Sequence, residues 1–107
     1  MSNFPLTESL YYILLSVLSP NYGYGIMEKI KEMTDGRVNM GAGTLYGGIT
    51  TLLERGYISL YSEQRTSRKK KEYVITENGK KALECEIIRL SELLENGKKE
   101  LEEYNVI

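Results

Sequence analysis

Residues 41–61 read Gly41-Ala42-Gly43-Thr44-Leu45-Tyr46-Gly47-Gly48-Ile49-Thr50-Thr51-Leu52-Leu53-Glu54-Arg55-Gly56-Tyr57-Ile58-Ser59-Leu60-Tyr61. Leu45, Ile49, Leu52 and Leu53 recur at helical spacing, which predicts a helix over roughly 42–55 with one apolar face. Thr44, Gly47, Gly48, Thr50 and Thr51 lie on its other sides and are small or hydroxylated. The glycines of Met40-Gly41-Ala42-Gly43 introduce the helix and Gly56 stops it. Each of the mid-helix glycines, Gly47 and Gly48, costs about 1 kcal/mol relative to alanine. Close approach to another backbone or to a ligand is the usual compensation. Directly after Gly56, the aromatic and β-branched run Tyr57–Tyr61 predicts a strand.

Working outward, Glu72-Tyr73-Val74-Ile75-Thr76 predicts a second strand, and the polar basic run from Ser62 to Lys71 is the tip of the hairpin between them. Before the glycines, Ile26, Met27, Ile30 and Met33 give one face of a short helix over about 24–34, stopped by Thr34-Asp35-Gly36. Further upstream a helix over about 6–18 carries Leu6, Leu10, Ile13, Leu14, Val17 and Leu18 on one side. Tyr11, Tyr12 and Leu15 make it apolar on a second side, so a partner subunit is expected to cover that side; Ser19-Pro20-Asn21 ends it. After the hairpin, Leu83, Ile87, Leu90, Leu94, Gly97, Leu101 and Tyr104 alternate spacings of four and three in one helix over about 77–104. At about 42 Å such a helix outruns a domain this small, which again favours a partner. The expected fold is mainly α with a two-stranded β-wing: a winged helix-turn-helix over 1–76 and a long dimerisation helix over 77–107, forming one compact unit.

Composition limits what such a fold does. The 107 residues suffice for one domain, and no apolar run approaches a membrane span. The opening Met1-Ser2-Asn3-Phe4-Pro5 lacks the positive start of a signal peptide, and the single cysteine, Cys85, excludes an intrachain disulfide, so a cytoplasmic protein is expected. Cys85 itself reads as a small packing residue. With no histidine, no metal-ligand cluster, no phosphate loop and no partner for the cysteine, the chain is not expected to be an enzyme or to need a cofactor or metal. The net charge of −1 conceals an asymmetry: residues 55–73 hold six basic side chains, Arg55, Arg65, Arg68, Lys69, Lys70 and Lys71, against two acidic ones.

These features converge on double-stranded DNA. A major groove about 12 Å wide admits one helix whose outward face is slim and hydrogen-bonding, as Thr44, Gly47, Gly48, Thr50 and Thr51 are. Tyr46 stands among them, within reach of a phosphate or a base edge, and the wing cations suit phosphates or the minor groove. Two other readings share the fold: a regulator that senses a small molecule in a dimer-interface pocket, and a winged helix that docks a protein instead of DNA.

The sequence also resembles the PadR family of transcriptional regulators. The resemblance is carried by Tyr22-Gly23-Tyr24-Gly25-Ile26, by Gly43-Thr44-Leu45-Tyr46 with Leu52-Leu53-Glu54-Arg55-Gly56-Tyr57-Ile58, and by Arg68 through Gly79. It extends over about residues 6–95 and is closest to the short members with one C-terminal helix. It implies a winged-helix homodimer, usually a repressor on a palindromic operator, released by a small aromatic effector in some members. It implies that Thr44, Tyr46, Gly47 and Thr50 lie on the recognition helix, that Tyr24 opens the supporting helix near a phosphate, and that Arg65, Arg68, Lys69, Lys70 and Lys71 lie on the wing. The first and last helices would form the dimer interface, through Leu10, Leu14, Leu83, Ile87, Leu90, Leu94 and Leu101. Members commonly carry proline after the Leu-Tyr pair, where Gly47 stands here, and the paired tryptophans that stack flat drugs in some short members have no counterpart in a chain without Trp.

Overall fold

The computed structural model describes residues 5–64 and 70–106. Helix α1 spans Glu8–Ser16. Thr7 caps it, its side-chain oxygen accepting from the Leu10 amide at 3.2 Å, and Glu8 places negative charge in the first turn. It is shorter than the 6–18 expected because both ends are taken up by side chains. At the C-terminal end the Ser16 hydroxyl donates back to the Tyr12 carbonyl at 2.8 Å, and the Asn21 amide donates to the Ser16 carbonyl at 3.1 Å. Leu6, Val17 and Leu18 therefore lie outside the helix; Leu6 and Val17 are still buried, but Leu18 is exposed.

Strand β1, Asn21–Tyr22, leads directly into helix α2, Gly23–Met33. Ile26 and Ile30 are fully covered, whereas Met33, expected on the same face, is exposed. The helix closes through a left-handed pair, Asp35 at φ 52° and Gly36 at φ 80°, with the Gly36 amide donating to the Lys31 carbonyl at 2.8 Å. Helix α3, Ala42–Glu54, follows and ends in the same way: Gly56 sits at φ 74° and the Tyr57 amide donates to the Leu52 carbonyl at 2.9 Å.

Strands β2, Ile58–Gln64, and β3, Lys70–Ile75, form the hairpin. The two wing strands are joined by β1 into a three-stranded antiparallel sheet of order β1-β3-β2, in which Asn21 and Tyr22 pair with Tyr73 and Glu72. The segment read only as the end of the first helix thus anchors the wing. The hairpin arms are also longer than expected: Ser62, Glu63 and Gln64 stand opposite Glu72, Lys71 and Lys70, so Lys70 and Lys71 belong to a strand and not to the loop. In sequence, Ser62-Glu63-Gln64 and Lys70-Lys71 carry no apolar alternation of the kind that marks a strand. A bulge lies between Leu60 and Ser62.

Ile13, Leu14, Val17, Ile26, Ile30, Leu45 and Leu52 form the centre of one core, joined by Ile49 and Ile58. Gly48 allows a close helix contact within it. A β-carbon on Gly48 would stand 2.6 Å from Cδ1 of Ile13, so the glycine brings α3 against α1. Gly47 has nothing within 4 Å of that point, and only one of the two mid-helix glycines is explained by packing.

Helix α4, Glu77–Val106, has 30 residues and a length of about 45 Å. Thr76 fixes its start: the Gly79 amide donates to the Thr76 hydroxyl at 3.0 Å, which donates to the Gly56 carbonyl at 2.6 Å. Gly79 lies directly against the Tyr57 carbonyl, leaving no room for a β-carbon. Only Gly79, Ala82, Leu83 and Glu86 of this helix are buried; the rest extends away from the chain's own core.

Candidate nucleic-acid interface

Burial divides α3 into two faces. Leu45, Ile49 and Leu52 are 0–2% exposed and hold the helix to the core, while Thr44, Tyr46, Gly47 and Thr50 all face solvent. Thr50 and Thr51 turn their hydroxyls onto the helix, donating to the Tyr46 and Gly47 carbonyls at 2.9 and 3.1 Å. Tyr46 is half exposed, and its hydroxyl lies against Gly23, the first residue of α2. Tyr24, the next residue along α2, is 62% exposed. The structure therefore brings the first turn of the supporting helix beside the outer face of α3.

Two residues to which the sequence alone gives no role account for this junction. Gly23 leaves the space that Tyr46 occupies, and Gly25 leaves room for the Asn21 side chain. Asn21 accepts from the Tyr22 amide at 2.9 Å while donating to Ser16, so it ties the end of α1 to the entry of α2. The signal was present in the Tyr22-Gly23-Tyr24-Gly25 run, but alternating glycines have no meaning until their neighbours across the fold are known.

On the wing, Lys71 is exposed on β3 and Lys70 lies in the same strand. Arg65, Arg68 and Lys69 lie outside the described residues. The Ser62 hydroxyl donates to the Glu72 carboxylate at 2.5 Å, tying the two arms together.

The residues expected at a dimer interface divide into two groups. Leu10, Leu14 and Leu83 are 7%, 0% and 5% exposed, so the chain's own core already covers them. Ile87, Leu90, Leu94 and Leu101 are exposed along α4, together with Leu93 and Tyr104. Tyr11, Tyr12 and Leu15 are half-buried against the core. Cys85, expected to pack, is exposed instead.

Between α1 and α4 lies a cleft of about 280 Å³ lined by Leu6, Glu8, Tyr11, Tyr12, Glu86 and Leu90. Glu86 is buried with all its bonds made: it accepts from the Leu6 amide at 3.0 Å and from Arg89 at 2.7 and 2.8 Å. The Arg89 guanidinium holds the Glu86 carboxyl below its ordinary range, against the opposing effect of burial, and the Leu6 amide lowers it further. Glu8 pairs with Arg37, in the middle of the α2–α3 connection, and its carboxyl is lowered by that bond.

A tri-helical core with a β-hairpin after its third helix, a third helix whose outer face is free, and a long helix beyond the hairpin define a winged helix-turn-helix protein. The family model of the transcriptional regulator PadR-like family matches residues 13–85, and the chain belongs to that family. Similar solved structures include a transcriptional regulator from Clostridium thermocellum, with 27% identity, a TM-score of 0.68 and coverage of 84% of this chain and 90% of that one. A PadR-like transcription factor from Bacteroides fragilis has 26% identity and a TM-score of 0.71, with coverage of 85% and 86%. PadR of Bacillus subtilis in complex with operator DNA has 27% identity and a TM-score of 0.67, covering 80% of this chain and 49% of that longer one. No curated protein matches the chain significantly in sequence.

Proposed function

We propose that the chain is a homodimeric repressor that binds a palindromic operator in double-stranded DNA. Helix α3 enters the major groove, and the basic wing, through Arg65 and Arg68 to Lys71, contacts phosphates or the minor groove. Tyr24 contributes from the first turn of α2. The observation that carries this reading is the free face of α3, where Thr44, Tyr46, Gly47 and Thr50 stand in solvent on a helix locked to the core from behind. It is supported by family membership and by the operator complex of the Bacillus subtilis relative.

Dimerisation is proposed from α4. Ile87, Leu90, Leu94 and Leu101 are 38–63% exposed on one side of a helix that leaves its own core after Glu86. A seam of this length is costly in water, and a second copy supplies the matching apolar stripe. The division of labour is then 1–76 for DNA and 77–107 for pairing, with Leu10, Leu14 and Leu83 supporting the interface from inside each protomer. Such a regulator acts in the cytoplasm, carries out no catalysis and needs no cofactor. Among the described residues no helix is long and apolar enough to cross a membrane. The test is selection from a random duplex pool: a consensus with two inverted half-sites about 34 Å apart is expected, and Thr44→Ala or Thr50→Ala alters it. An unaltered consensus removes α3 from base reading.

A second reading, effector sensing, is favoured by the α1–α4 cleft, which places Tyr11 and Tyr12 beside the proposed interface. Quenching of tyrosine fluorescence by planar aromatic dyes, with loss of DNA binding, supports it. Dye binding that leaves the DNA complex intact counts against it.

A further inference from the structure

The outer surface of α3 lacks every side chain that reads guanine or adenine through paired hydrogen bonds. From Gly41 to Glu54 there is no Arg, Lys, Asn or Gln, the residue types that pair bidentately with guanine O6/N7 or adenine N6/N7. What the exposed positions carry instead are the methyl groups of Ala42, Thr44 and Thr50, beside the side chains of Tyr46, Leu53 and Glu54. The Thr50 hydroxyl proton is committed to the Tyr46 carbonyl, and that of Thr51 to the Gly47 carbonyl. A hydroxyl bonded in this way has no proton for guanine O6, for a purine N7 or for thymine O4. Gly43 and Gly47 have nothing within 4 Å of the place a β-carbon would take, so at these two positions the helix backbone itself is open to a groove. The one apolar mark that a base pair shows in the major groove is the thymine 5-methyl group.

We propose that α3 selects its operator through thymine 5-methyl groups, met by the methyls of Ala42, Thr44 and Thr50. This rests on the reading of α3 as the DNA-reading helix, which stands on family membership and the DNA-bound relative and not on the small residues themselves. The specificity is then one of shape and methyl contact, and the nearest amide, Asn39, lies exposed ahead of the helix.

The test uses the full chain and a duplex selected from a random pool. Each thymine of the protected region is replaced in turn by uracil, which removes the methyl group and nothing else. Uracil under α3 is expected to weaken binding about fourfold per position, the worth of one buried methyl, and elsewhere to leave it unchanged. At a sensitive position, 5-methylcytosine binds about fourfold better than cytosine. Thr50→Ser keeps the hydroxyl and abolishes the uracil penalty at the position that Thr50 meets. Tight, salt-dependent binding that tolerates uracil at every thymine overturns methyl readout and leaves the DNA reading intact. So does a preference lost in Asn39→Ala while all uracil substitutions are silent. The absence of salt-dependent binding to any duplex overturns both.

Discussion

The hydroxyl of Tyr46 lies against the α-carbon of Gly23, so the most prominent side chain on the outer face of α3 is seated on the first residue of α2. The contact fixes where an exposed tyrosine points, and it links α2 to α3. A β-carbon on Gly23 displaces the far end of a flexible ring and meets no backbone. Gly23→Ala is therefore expected to change stability by less than about 1 kcal/mol. It is expected to weaken DNA binding about as much as Tyr46→Ala does. Thermal unfolding and anisotropy titrations on the two variants check this; a Gly23→Ala protein with intact DNA affinity removes Tyr46 orientation from the site.

The two central glycines of α3 separate into opposite outcomes. Gly48→Ala drives a methyl toward Cδ1 of Ile13, 2.6 Å away, in a fully buried position of α1. Overpacking of about 1–3 kcal/mol outweighs the roughly 1 kcal/mol gained in helix propensity, so the variant is less stable. Gly47→Ala enters open space and is more stable by up to about 1 kcal/mol. Denaturant midpoints at fixed protein concentration distinguish the signs, and equal shifts for both contradict the packing assigned to Gly48.

Glu86 makes stability depend on pH. Its folded carboxyl lies below the ordinary value of 4.5, chiefly through the bond from Arg89 and with help from the Leu6 amide. A depressed carboxyl contributes stability that is complete above the unfolded value and is lost as pH falls through the folded value. Glu86→Gln keeps an acceptor for Leu6 but gives up the ion pair. Near pH 7 it is expected to cost about 1 kcal/mol, with Arg89 about one-third exposed and partly screened. The gap between the two proteins closes below pH 4.5. A gap that stays constant down to the acid transition shows that the pair contributes nothing through its charge.

The wing is expected to act through charge alone. Replacing Lys69, Lys70 and Lys71 with alanine weakens binding to all duplexes by a similar factor. It reduces the slope of log affinity against log salt by about 0.9 for each phosphate that is no longer neutralised. A changed sequence preference with an unchanged slope assigns base reading to the wing instead.

Much of the fold was legible because it follows from periodicity. The apolar spacing of Leu45, Ile49 and Leu52 placed α3 to within a residue, and the seam from Leu83 to Leu101 placed α4. The third strand was hidden because two residues, Asn21 and Tyr22, carry no alternation and pair with Tyr73 and Glu72, far along the chain. The length of the hairpin arms was hidden because Ser62-Glu63-Gln64 and Lys70-Lys71 are polar throughout and carry no alternation. At the site, small residues on α3 identified its outer face, but Gly23, Asn21 and Glu86 act through partners outside their own local stretches of sequence. Leu14 is covered by the chain's own core, which a helix apolar on two sides does not reveal in sequence.

The proposed function stands on specific DNA binding by a dimer through α3. Its most direct test is an anisotropy titration of the selected duplex and of a scrambled duplex of equal composition, at two salt concentrations, with the stoichiometry read at saturation. Two chains per duplex, preference for the selected sequence at both salts, and affinity that falls steeply with salt are the expected results. Equal, salt-insensitive and weak binding to both duplexes contradicts it and points to a winged helix that docks a protein.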